Sequence, residues 1–177
     1  MDTIELVIPT AKHETDATAF AKEVMQADGE GIHGSSKLYT TDTYALWLEN
    51  ITRNALGETL PNLFPADTYF AMRVCDEQIV GIINIRHTLD SDFMRNYGGH
   101  IGYTVRPNER RKGYATQMLR LALERCKERN INRVLITCDP ANTASYRVIE
   151  ACSGVLENEI PYPDTNEFVR RYWITVL

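Results

Sequence analysis

Between Gly99 and Cys126 the hydrophobic period of this chain changes from two to about 3.6 across one basic turn. Gly99 to Val105 reads as a strand closed by Pro107. Ala115, Met118, Leu119, Ala122, Leu123 and Cys126 then recur on one face of a helix, with charges on the other. Between them runs Arg106-Pro107-Asn108-Glu109-Arg110-Arg111-Lys112-Gly113-Tyr114-Ala115-Thr116. A strand feeding directly into a strong amphipathic helix asks for a sheet with helices packed on it.

The flanking sequence fits that demand. Ile4 to Ile8 alternates as a first strand, ended by Pro9, and a helix is predicted over Ala17 to Gln26, stopped by Gly29 and Gly31. Residues 29–41 read as loop. Asp42 is the expected N-cap of a second helix carrying Tyr44, Leu46, Trp47, Leu48 and Ile51. Thr68 to Val74 and Gln78 to Ile85 form a hairpin about Cys75-Asp76-Glu77, and Ser91 to Asn96 reads as a polar loop. After the amphipathic helix come a strand, Val134 to Cys138, a helix, Asn142 to Cys152, and two strands, Val155 to Ile160 and Phe168 to Val176. Hairpins first and helix–strand alternation later predict an α/β fold, of the α+β kind, with one mixed sheet covered by helices. With 177 residues and no repeat or linker, the expectation is a single domain over 1–177.

The basic turn also carries the chemistry. Such a turn points successive backbone N–H groups into one concavity, and the helix N-terminus adds partial positive charge. Gly113 permits close approach of a ligand, Ala115 keeps the first turn slim, and Thr116 offers a hydroxyl. The reading is a pyrophosphate cradle built from main chain; the bland alternative is a solvated surface turn. Neither GxxxxGK[ST] nor GxGxxG occurs, which removes the P-loop and the dinucleotide fingerprint. A net charge of −5 without a basic tract argues against nucleic acid, and no apolar stretch suits a membrane span or a leader. Cys75, Cys126, Cys138 and Cys152 lie too far apart for metal-ligand spacing; free thiols and a cytoplasmic location are expected, and no metal.

Arg110-x-x-Gly113-x-Ala115 resembles the Q/R-x-x-G-x-G/A acyl-CoA signature of GNAT N-acyltransferases, placed as in that family between the fourth strand and the third helix. Asn142-Thr143-Ala144-Ser145, with Gly154 beyond the helix, resembles the family's N-x-x-S segment. The stretch from Gly98 to Glu159 and the closing Arg170-Arg171-Tyr172-Trp173 is similar to a bacterial branch of acetyltransferases. The resemblance implies one GNAT domain of about seven strands, splayed between the fourth and fifth, with helices on both faces. Acetyl-CoA would be the co-substrate. Arg110, Arg111, Lys112, Gly113, Tyr114, Ala115 and Thr116 would supply the cradle. Main chain at Tyr103, Thr104 and Val105 would align the pantetheine, with Asn142 and Ser145 beside it; for these two, helix capping is the simpler role.

Direct transfer to an amine needs a neutral nucleophile, an oxyanion donor and a protonated leaving thiolate. The Val105 N–H is the expected oxyanion donor. His100, on the strand facing the splay, is the first candidate base, with His87 and Glu150 behind it; a histidine bonded within the sheet is its structural alternative. The tyrosine that many GNAT enzymes carry seven residues after the motif asparagine is Ile149 here, so Tyr146 or Tyr103 is the candidate acid. Cys138 reads as a core thiol. Residues 11–66 hold four Lys/Arg against eight Asp/Glu, which would steer a cationic amine, or simply be solvated. Tyr39, Trp47 and Trp173 line the acceptor pocket or fill the core. The acceptor is a small-molecule or protein amine, and a homodimer stays open. A non-catalytic acyl-CoA sensor is the rival reading.

Overall fold

The computed structural model describes residues 2–29, 31–58 and 64–176. Its seven strands are β1 (Ile4–Val7), β2 (Ala66–Arg73), β3 (Ile79–Arg86), β4 (Ile101–Val105), β5 (Arg133–Cys138), β6 (Val155–Pro161) and β7 (Phe168–Thr175). The helices are α1 (Glu14–Asp28), α2 (Tyr44–Ala55), α3 (Tyr114–Glu128) and α4 (Thr143–Ala151). Two sheets result, ordered β1-β2-β3-β4 and β5-β7-β6, every ladder antiparallel.

The most buried strand, β3, shows how the sheet divides its cores. Ile79 and Ile82 join Phe20, Val24, Trp47 and Phe70 beneath α1 and α2. Val80, Ile83 and Ile85 join Met118, Leu119 and Ala122 beneath α3. The alternation is interrupted once, where Ala71 pairs with Gly81 and Met72 with Ile79. This bulge turns Val80 and Gly81 to the same face. Gly81 has no room for more, since a Cβ there would lie 2.7 Å from the Met118 sulfur.

Two local expectations need correction. The α2 N-cap is Thr43, whose hydroxyl accepts from Leu46 N at 3.1 Å; Asp42 lies one residue too early for that bond. The predicted polar loop near residue 91 instead winds into a short π-helical segment, Met94–Gly98, started by Ser91 Oγ accepting from Met94 N.

Among the described residues, main-chain hydrogen bonds join the two sheets at one place. Gly99 at φ +64° turns the chain into β4, His100 N donates to Leu135 O at 2.7 Å, and Leu135 N donates back to His100 Nδ1 at 2.9 Å. Beyond this junction β4 has no ladder with β5. The expected splay between the fourth and fifth strands therefore opens from His100 toward the N-terminus of α3.

Candidate active site

The wall of the splay is main chain. His100 O accepts from Arg86 N and Arg106 N donates to Val80 O, so the even-numbered residues of β4 pair with β3. Alternation in an antiparallel ladder then turns the N–H groups of Tyr103 and Val105 the other way, toward the gap. Thr104 is a correction: its main chain belongs to the β3 ladder, and its hydroxyl donates to His33 O at 2.9 Å. It is not free to align a ligand in the gap.

At the open end of the splay, Pro107–Glu109 forms one turn of 3₁₀ helix, and Arg111 (φ +60°) and Gly113 (φ +84°) are left-handed. The first α3 bond back to the turn is Gln117 N to Gly113 O at 3.2 Å. Among the described residues, none of the N–H groups from Arg111 to Thr116 has an acceptor. These are the unpaired donors of a helix start, and they suit an anion.

The side chains of the turn brace it. Glu109 is buried and accepts from Arg73 Nη1 and Lys112 Nζ, both at 2.9 Å. Arg110 forks onto Asp28 at 2.8 and 2.6 Å and donates through Nε to Val105 O at 3.2 Å, holding the Asp28 carboxyl below its usual range. The buried Tyr114 hydroxyl donates to Asp2 at 3.1 Å. With these side chains engaged, the turn offers a pyrophosphate its main chain and the exposed side chain of Arg111. Ala115 and Thr116, half-buried in the first turn, keep its flank slim.

Across the gap, Asn142 caps α4 by accepting from Ser145 N at 3.0 Å, the simpler of its two expected roles. Ser145 Oγ lies 3.2 Å from the Tyr103 hydroxyl, and burial pushes that phenol up to about 12. Tyr146 is half-buried, with the Arg170 guanidinium 5.0 Å from its ring, and its hydroxyl makes no hydrogen bond among the described residues. Ile149 is fully buried, against Gly154, so that position contributes packing. Burial pushes Cys138 up to about 11, as suits a core thiol.

His100 does not have the geometry of a base. Its Nδ1 lone pair accepts the Leu135 N–H, so in the neutral ring the proton sits on Nε2 and no lone pair remains. Burial, and secondly the charge of Arg86, lowers its pKa to about 4. His100 is the rivet of the sheet junction. His87 sits 3.4 Å from Asp67, a carboxylate also held by Arg129, and the Glu150 carboxylate accepts from Tyr172 at 3.2 Å.

On the α1/α2 face of β4 lies a cleft of about 350 Å³, roofed by residues 31–39 and floored by Asn84 and Arg86. The loop touches β4 backbone to backbone: a Cβ on Gly34 would lie 2.1 Å from Gly102 O. His33, exposed, is the one imidazole among its described lining residues. Tyr39 lines the cleft, whereas Trp47 is core and donates to Ser35 O at 2.8 Å. Trp173 faces the far side of β7, 4.6 Å from Arg133. The expected acidic steering is not found in the cleft, which has no carboxylate among its described lining residues. Asp16 and Glu23 bind Arg106, Asp28 binds Arg110, and Glu58 binds Arg53.

A family profile described as "Acetyltransferase (GNAT) domain" matches residues 6–154. The uncharacterized N-acetyltransferase YnaD of Bacillus subtilis is 34% identical over 91 residues, which span 48% of this chain and 54% of that protein. Among solved structures, the microcin C7 self-immunity acetyltransferase MccE, in complex with acetyl-CoA and AMP, superposes with a TM-score of 0.71. It is 16% identical and the match covers 99% of this chain and 94% of MccE. A Salmonella typhimurium acetyl transferase that modifies the N-terminal serine of ribosomal protein L7/L12 gives 0.69 at 18% identity, covering 98% and 95%.

Proposed function

The chain belongs to the GNAT acetyltransferase family, and from that membership we propose that it transfers an acetyl group from acetyl-CoA to a primary amine by direct attack in a ternary complex. The observation that carries this reading is the row of unpaired N–H groups from Arg111 to Thr116, beside a gap that β4 lines with two further N–H groups. When bound, acetyl-CoA supplies an acyl group activated as a thioester. The cradle holds its pyrophosphate, and Tyr103 and Val105 orient the arm. The Val105 N–H is a fixed dipole aimed into the gap, which costs little to reorganise as charge develops on an oxygen there.

His33 accepts the proton of the amine, because it is the imidazole lining the cleft and His100 has no free lone pair. Tyr146 gives a proton to the leaving thiolate. Its hydroxyl is uncommitted, whereas Tyr103 is tied to Ser145 and made a weaker acid by burial. The acceptor is a small-molecule or protein amine; the Salmonella relative, which acts on a protein N-terminus, supports the second class. We take residues 1–177 as one GNAT domain working in the cytoplasm, a setting supported by four unpaired cysteines. Among the described residues no helix is long and apolar enough to cross a membrane.

The test is calorimetric titration with acetyl-CoA alongside release of free CoA from a pool of amines. Binding with amine-dependent release is expected. Binding without release from any amine class favours the sensor instead, and no binding defeats the reading.

A further inference from the structure

Arg86 differs from the other buried or half-buried arginines. Arg53, Arg73, Arg106, Arg125, Arg170 and Arg171 each hold a carboxylate. Arg86 ends the apolar strand β3, and among the described residues it has no acidic partner. Its Nη1 donates to Gly98 O and Gly99 O, both at 2.9 Å. Its Nη2 reaches over the middle of β4, 3.7 Å from where a Cβ on Gly102 would stand. The guanidinium thus lies at the junction from which the splay opens, with its open side to the cleft. Burial lowers its pKa to about 10, which leaves it fully charged at neutral pH. A cation taken from water against two carbonyls alone is incompletely compensated. The Lys37 ammonium, on the cleft roof, likewise has no hydrogen bond or ion pair among the described residues. Asn84 holds the floor between them, its Nδ2 bonded to Asp67 O, Thr68 and Ser36.

Resting on the acetyltransferase reading, we propose that the acceptor carries an oxyanion, carboxylate or phosphate, close to its amine, and that Arg86 and Lys37 bind that oxyanion in the cleft. The planar fork of an arginine suits either group. A polyamine would instead bring further positive charge against two unneutralised cations. The same two charges disfavour the ammonium form of a nearby amine, which raises the fraction able to attack.

The experiment first measures CoA affinity of wild type and each variant. The CoA complex is then titrated with N-acetylalanine, its amide, and N-acetyl-2-aminoethyl phosphate. One anionic probe is expected to bind at least about tenfold tighter than the neutral amide, and which one does so identifies the source of the oxyanion. Arg86→Gln should remove most of that preference, and Lys37→Glu, which breaks no hydrogen bond, should reverse it. Arg86→Lys, which keeps the charge, covers the case of an Arg86→Gln chain that fails to fold. The proposal is overturned if amide and acids bind alike, if no probe binds, or if Lys37→Glu keeps the preference. Wild type that fails to bind CoA breaks the family-based reading; wild type that binds CoA without anion preference breaks only this one.

Discussion

The cradle and the cleft lie on either side of β4, and they are made differently. The cradle uses six consecutive residues, and its donors are peptide N–H groups fixed by Gly113 and the start of α3. The side chains just before it are spent on bracing: Glu109 on Arg73, Arg110 on Asp28. The cleft gathers side chains from the 31–39 roof, from Asn84 and Arg86 on β3, and from Phe93 and Met94. One site is local and backbone-built; the other is dispersed and side-chain-built. A local site tolerates almost any identity that preserves its φ angles, while a dispersed one changes with any of its contributors.

The contrast is sharpest at Gly113. Gly113→Glu puts a carboxylate and a left-handed strain into the cradle, and acetyl-CoA affinity should fall about a thousandfold, roughly 4 kcal/mol. Fold loss should stay near ~1–2 kcal/mol by denaturant melt. Normal affinity in calorimetry would remove the cradle from the mechanism.

His100 tests the seam between the two sites. Its pKa falls from 6.5 to about 4 on folding, so between those values the unfolded chain binds the proton first. The contribution is full above about pH 6.5 and lost on acidification toward 4, by about 3 kcal/mol in all. His100→Gln should flatten that stretch of the stability–pH curve; an unchanged slope would mean that the ring is not held neutral.

Gly34→Ala acts on the cleft alone. At φ +75° and with a Cβ 2.1 Å from Gly102 O, it must lift the roof. Turnover should drop about thirtyfold, roughly 2 kcal/mol, with CoA affinity within about twofold. Equal losses in both would show that the sites are not separable. Tyr146→Phe should slow turnover about tenfold at constant CoA affinity, and wild-type rates would clear it of proton donation. The smallest change is expected from His33→Gln, which should slow turnover by less than Tyr146→Phe does, at constant CoA affinity. Wild-type turnover assigns the base elsewhere.

The same contrast explains what the sequence disclosed. The period change at Gly99–Cys126 and the Arg110-x-x-Gly113-x-Ala115 spacing are contiguous, so strand, turn and helix were legible with their order. Which main-chain groups of β4 face the gap depended on the β3 register, and Thr104 was misread for want of it. His100 looked like a base because a strand facing a splay was legible, whereas the bond from Leu135, 35 residues away, was not. Arg86 went unremarked because an arginine closing an apolar strand has no local sign of lacking a counterion. The acidic surplus of residues 11–66 was visible, but its commitment to Arg53, Arg106 and Arg110 is a matter of tertiary contact.

Gly34 rests on Gly102 with no side chain between them, so the height of the roof above β4 is set by two peptide units. An outward residue such as Lys37 is therefore exchangeable without moving the ceiling it hangs from. New acceptor preferences are reachable by single substitutions there, and the thioester geometry need not be renegotiated each time. In this protein the route to a different substrate runs through a handful of interchangeable fittings on an unchanging frame.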